Sequence, residues 1–92
     1  MATSRREKIE AMLADEPADA FLRYGLAMEL AKEGDLKGSL AHLEDLMHLQ
    51  PPYVGAFFLA GRQLAEQGST TEARSVLRDG IEAVYAEAPF RE

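Results

Sequence analysis

Few side chains in this sequence are suited to chemistry. They are two histidines, His42 and His48, sixteen carboxylates, and scattered hydroxyls such as Ser4, Ser39 and Ser69. A nucleophile needs a positioned base, and imidazole is the usual one near neutral pH. His42 and His48 stand six residues apart on one expected helix. At about 100° per residue they point about 240° apart, so no single metal or catalytic face holds both. Glu44 lies one turn before His48, a spacing that fits a surface contact. The acidic run "DEPAD" offers paired carboxylates, but it sits at a helix boundary with no partner set and reads as a solvated turn. "RREK" near the amino terminus is a candidate for an acidic partner, but it reads first as a solvated first turn, with its cations poorly placed for the helix dipole. No phosphate-cradling glycine loop, HExxH, GxSxG or calcium-loop spacing occurs. The residue set therefore points away from an enzyme, and no catalytic, cofactor-binding or metal-ligating residue is expected.

Composition narrows the class further. Ninety-two residues are expected to form one compact domain across 1–92, and 47% hydrophobic with 28% charged residues is ordinary for a folded chain. With no cysteine there is neither a disulfide framework nor a thiolate site, so packing alone must hold the fold. A net charge of −6 opposes the phosphate neutralisation on which nucleic-acid binding depends. The start "MATSRREKIEAML" has no uninterrupted apolar stretch and does not read as a signal peptide. No run approaches the roughly 18 apolar residues of a membrane span, so a cytoplasmic protein without membrane insertion is expected.

The elements that must position any site come from an internal repeat. "LAKEGD" at 30–35 returns 34 positions later as "LAEQGS" at 64–69. The same shift sets Leu43 on Leu77, Asp45 on Asp79 and Met47 on Ile81; carried backwards, it sets Ile9 on Leu43, Met12 on Leu46 and Pro17 on Pro51. Between these anchors the apolar residues recur at three and four positions, as amphipathic helices require. Five helices are expected, at about 4–14, 20–33, 36–49, 53–67 and 69–88. The first buries Ile9, Met12 and Leu13. Asp19 and Asp35 are the expected caps of the second and third, Gly34 and Gly68 the left-handed stops, and "STTE" opens the fifth as a capping box. No segment alternates with period two, and the fold class is all-α.

A helix–turn–helix unit of 34 residues resembles the tetratricopeptide repeat. The family pattern falls here on Phe57, Ala60, Gly61, Leu64, Ala73 and Leu77. In the first copy it falls on Arg23, Leu26, Ala27, Leu30, Ser39, Leu43 and Pro51. Arg23, Ser39 and Tyr85 depart from it, standing where a large aromatic, a small apolar residue and proline are usual. The resemblance implies a right-handed α-α superhelix, or solenoid, of about five antiparallel helices: a leading helix at 4–14, repeat one at about 20–53 and repeat two at about 54–88. It also implies a protein-binding adaptor or scaffold.

By the same resemblance, Tyr24, Met28, Lys32, Phe58, Leu59 and Arg62 line the concave side, a surface suited to an apolar peptide or helix. Packing of Tyr24 against Phe58 between neighbouring repeats is the alternative. The apolar stripe on the second helix is wider than a simple surface helix needs, since Phe21, Tyr24 and Met28 flank the packing face. Helix five offers a second surface in Leu77, Ile81, Val84 and Tyr85, with Phe90 after it, and no capping helix follows. A protein or peptide partner is therefore expected on the concave side, or self-association through helix five.

Overall fold

The computed structural model describes residues 3–87, and every regular element among them is an α-helix: α1 (Arg5–Asp15), α2 (Ala20–Lys32), α3 (Leu36–Met47), α4 (Val54–Glu66) and α5 (Thr70–Glu87). All five expected helices are present. Their ends differ by a few residues, most visibly at α3, which stops at Met47 rather than Leu49. The chain divides into two compact units, Met1–Leu46 and Met47–Glu92.

In the first unit, α1 and α2 form an antiparallel hairpin. Ser4 caps α1 reciprocally: its hydroxyl oxygen accepts from the Glu7 backbone N–H at 3.1 Å, and its own N–H donates to Glu7 Oε1 at 2.9 Å. Asp19 caps α2 by accepting from the Leu22 N–H at 3.0 Å. The α2 end is set by Gly34, whose φ of 90° places it in the left-handed region that a Cβ disfavours. Two backbone bonds close the stop, Asp35 N–H to the Leu30 carbonyl at 2.9 Å and Gly34 N–H to the Ala31 carbonyl at 3.0 Å. That is the paired pattern of a Schellman motif. Asp35 then turns round and caps α3, accepting from the Gly38 N–H at 2.9 Å.

Residues 64–69 of the second unit repeat this stop. Gly68 has φ 87°, Ser69 N–H donates to the Leu64 carbonyl at 2.8 Å, and Gly68 N–H donates to the Ala65 carbonyl at 3.0 Å. The Ala73 N–H reaches the Ser69 carbonyl at 2.9 Å, which puts Ser69 at the start of α5. The recurring phrase is thus two copies of one helix stop.

Each unit carries its own apolar core. Leu26, Ala27, Leu43 and Leu46 are buried in the first, and Ala56, Phe57, Leu59, Ala60, Ala73 and Ala83 in the second. Covering a side chain as large as Phe57 or Leu43 contributes about 1.5 to 3 kcal/mol. Close approach in the α4–α5 hairpin depends on two positions without side chains. A Cβ on Gly61 would lie 2.6 Å from Leu77 Cγ, and one on Gly80 would lie 2.6 Å from Phe57 Cβ.

Two departures from the repeat pattern have structural uses. Arg23 ties α2 to α3 through Asp45 at 3.2 Å and reaches the Pro17 carbonyl at 3.5 Å. Ser39 is fully buried, and its hydroxyl donates to the Ala27 carbonyl on α2 at 2.7 Å. Tyr85 is exposed on α5, which continues to Glu87.

Candidate protein-binding groove

A groove of about 540 Å³ opens along one side of the α1–α2 hairpin. Ile9 and Met12 of α1 face Phe21, Tyr24 and Met28 of α2 across it, with Gly25 on its floor. The spacing explains the shared face: 9 and 12 are one turn apart on α1, and 21, 24, 25 and 28 follow at three and four on α2. Gly25 keeps the floor low, since a Cβ there would meet only Ile9 Cδ1 at 3.5 Å, with open space beyond. Its repeat counterpart is Leu59, so a large side chain stands one period later where this floor has none.

The walls are apolar and uncovered. Phe21 is 71% exposed, Met12 47% and Met28 40%. Flexible, polarisable methionines on both sides let such a surface fit side chains of differing shape. A volume of this size lies within the usual range for binding clefts.

Arg5 and Lys8 stand at the rim. Arg5 contacts Glu29 at 3.2 Å, and Lys32 reaches the same carboxylate at 3.5 Å. Beside them Arg6 bonds Glu33 through Nε at 2.9 Å and Glu10 through Nη1 at 3.1 Å. The Glu33 bond, then the Glu10 bond, raises the Arg6 pKa above its already high ordinary value. These pairs answer the question raised by "RREK": cations ill-placed for the α1 dipole are held by carboxylates of α2 and of the next turn. Lys8 forms no ion pair among the described residues.

The expected site residues divide between the two units. Tyr24 and Met28 line the groove; Lys32 lies on α2 outside its lining, engaged with Glu29. On α4, Phe58 is 40% exposed and Arg62 is exposed, 3.9 Å from Glu66. Leu59 corrects the expectation of an open surface, because it is buried in the core of the second unit. Of the helix-five residues, Ile81, Val84 and Tyr85 are exposed, while Leu77 is half-buried against Gly61. Phe90 lies outside the described residues.

Sequence reasoning assigned Ile9 and Met12 to a buried face, which holds for Ile9 but not for the exposed Met12, and read Arg5 and Lys8 as part of a solvated turn, so the α1 half of the groove was missed. The available signal was the widened stripe on α2, which needs an opposing wall. Among the described residues, no group of three histidine or acidic side chains is placed to hold a metal ion, and no helix is long and apolar enough to cross a membrane. Compared with protein-family models, curated proteins and solved structures, the chain finds no match in any of the three.

Proposed function

We propose that this protein is a small tetratricopeptide-like interaction module that works by binding, not catalysis, and takes an apolar peptide segment or helix in the α1–α2 groove. The observation that carries the reading is the groove itself: three large apolar side chains, Met12, Phe21 and Met28, stand uncovered around one depression. Leaving such side chains in water forfeits roughly 1.5 to 3 kcal/mol each relative to full burial. A cluster of this kind marks an interaction surface. The repeat reading, with right-handed superhelical stacking and a cytoplasmic setting, belongs to the same proposal. It is supported by the 34-residue period, by the identical stops at Gly34 and Gly68, and by the close helix approach at Gly61.

The test is affinity capture from the source cell with wild-type protein, a Met28→Asp variant and a Phe58→Asp variant, each checked for helicity. Loss of one specific partner with Met28→Asp supports the groove. Loss with Phe58→Asp alone moves the site to α4, and unchanged capture by both rejects these surfaces. A second reading, a structural protein that self-associates through α5, is favoured by the exposure of Ile81, Val84 and Tyr85.

A further inference from the structure

The internal repeat provides a comparison that bears on what fills the groove. A shift of 34 residues sets Arg5 on Ser39, Met12 on Leu46, Leu22 on Ala56 and Gly25 on Leu59. The residues one period later are buried: Ser39 and Ala56 are 0% exposed, Leu46 1% and Leu59 8%. Thirty-four positions earlier, the Arg5 side chain is 75% exposed and Met12 47%, while Leu22 and Gly25 are half-buried. On α3 the covering element is visible, since α2 lies against Ser39 closely enough for a 2.7 Å hydrogen bond to the Ala27 carbonyl. Among the described residues, no element takes on α1 the position that α2 takes on α3. By the chain's own repeat, the element that fits there is another helix.

The chain also contains a helix with the complementary deficiency. Along the second half of α5, Ile81 is 51% exposed, Val84 43% and Tyr85 66%, an apolar stripe at three- and four-residue spacing. Residues 79–87 carry three acidic side chains and no basic one. The groove rim carries Arg5 and Lys8, and Lys8 is not engaged in an ion pair among the described residues. Apolar stripe meets apolar groove, and negative flank meets positive rim.

We infer that the helix received by the α1–α2 groove is α5 of a second copy of this chain, seated through Ile81, Val84 and Tyr85 with its acidic flank toward Arg5 and Lys8. The inference rests on the groove being a binding site and names its occupant. The two surfaces differ, so the contact is heterologous: each copy offers one groove and one helix, and assembly runs head to tail into an open chain or a ring.

The experiment uses full-length chains with one surface disabled at a time, followed by sedimentation velocity from about 1 to 500 μM, a span bracketing typical weak association. A groove-disabled chain carries Met12→Asp and Phe21→Asp; a helix-disabled chain carries Ile81→Asp and Tyr85→Asp. All four positions are exposed, and circular dichroism verifies each fold. Wild type is expected to sediment faster as concentration rises, each variant alone to stay monomeric, and the equimolar mixture to stop at a one-to-one dimer. Lys8→Glu, a surface change that leaves the core intact, is expected to weaken wild-type assembly several-fold.

A groove-disabled chain that still dimerises alone overturns the inference in favour of helix-to-helix contact. Wild type that is monomeric throughout overturns it as well. In that case retention of a foreign partner by wild type, lost with Met28→Asp, keeps the groove reading, whereas capture unchanged by Met28→Asp rejects both.

Discussion

The Ser39 hydroxyl donates to the Ala27 carbonyl at 2.7 Å, linking α3 to α2 at a point where neither residue has any solvent exposure. A position that the repeat pattern reserves for a small apolar residue thus holds a small polar one that is satisfied. Ser39→Ala removes the donor while keeping the volume, and is expected to cost about 0.5 to 1.5 kcal/mol in urea denaturation. Ser39→Val adds bulk at a fully covered site and is expected to cost about 1 to 3 kcal/mol. Valine tolerated as well as alanine would show that the α2–α3 contact is looser than the burial implies.

Glycine substitutions separate three environments. Gly80→Ala pushes a Cβ to within 2.6 Å of Phe57 Cβ, an atom fixed to the backbone, and about 1 to 3 kcal/mol of destabilisation is expected. Gly61→Ala meets the Leu77 side chain, which has more freedom to shift, and should cost less. Gly25→Ala meets only ordinary contact at 3.5 Å and should stabilise α2 by about 0.5 to 1 kcal/mol through helix propensity. Thermal or urea melts of the three variants provide the ranking. Equal effects at Gly25 and Gly80 would contradict it.

At the two helix stops the cost is purely conformational. Nothing lies within 4 Å of a Cβ built on Gly34 or Gly68, yet both have φ near 90°. Alanine at either position is expected to destabilise by about 1 to 2 kcal/mol, and asparagine by less, because its side chain tolerates the left-handed region better. Asparagine measured as no better than alanine would argue that the stop relaxes into another conformation.

The α1 cap makes the amino-terminal turn sensitive to acid. The Ser4 backbone N–H, and after it the Ser4 hydroxyl, holds the Glu7 carboxyl below the usual glutamate range. A carboxylate whose pKa is lower in the folded state contributes stability that is fully present above its unfolded value. That contribution is lost as pH falls through the folded value. Protection of the Glu7 and Lys8 amides against exchange, taken relative to their intrinsic rates, is therefore expected to fall below about pH 4, and Glu7→Gln to remove that dependence. Arg6, with its pKa raised by Glu33 and Glu10, remains charged throughout and contributes no titration of its own in this window. An acid response unchanged by Glu7→Gln would contradict the assignment.

The helices were legible because their signals are local. Proline at 17, caps at Asp19 and Asp35 and glycines at 34 and 68 act within one turn, and the 34-residue period repeats all of them except Asp19, whose counterpart Tyr53 makes no side-chain cap bond. Met12 shows why the groove was harder to read. Its place in the apolar period of α1 predicts burial, but burial also requires an opposing element, and the period of one helix carries no record of whether one is there. Leu59 errs in the opposite direction, since a position on the rim of a helical stripe is covered or open according to its tertiary neighbours. Arg23 and Ser39 looked like defects in a pattern; their partners Asp45 and Ala27 lie 22 and 12 residues away, beyond the reach of periodicity.

The most direct test of the groove as the binding surface is site-specific photocrosslinking in the source cell. A photoreactive residue replaces Phe21, the most exposed of the groove's apolar side chains, and a control replaces Ala41, exposed on α3. The proposed function predicts a discrete polypeptide adduct from position 21 and none from position 41, with mass spectrometry placing the adduct on an amphipathic helix. No adduct at 21, or the same products from both positions, would contradict it.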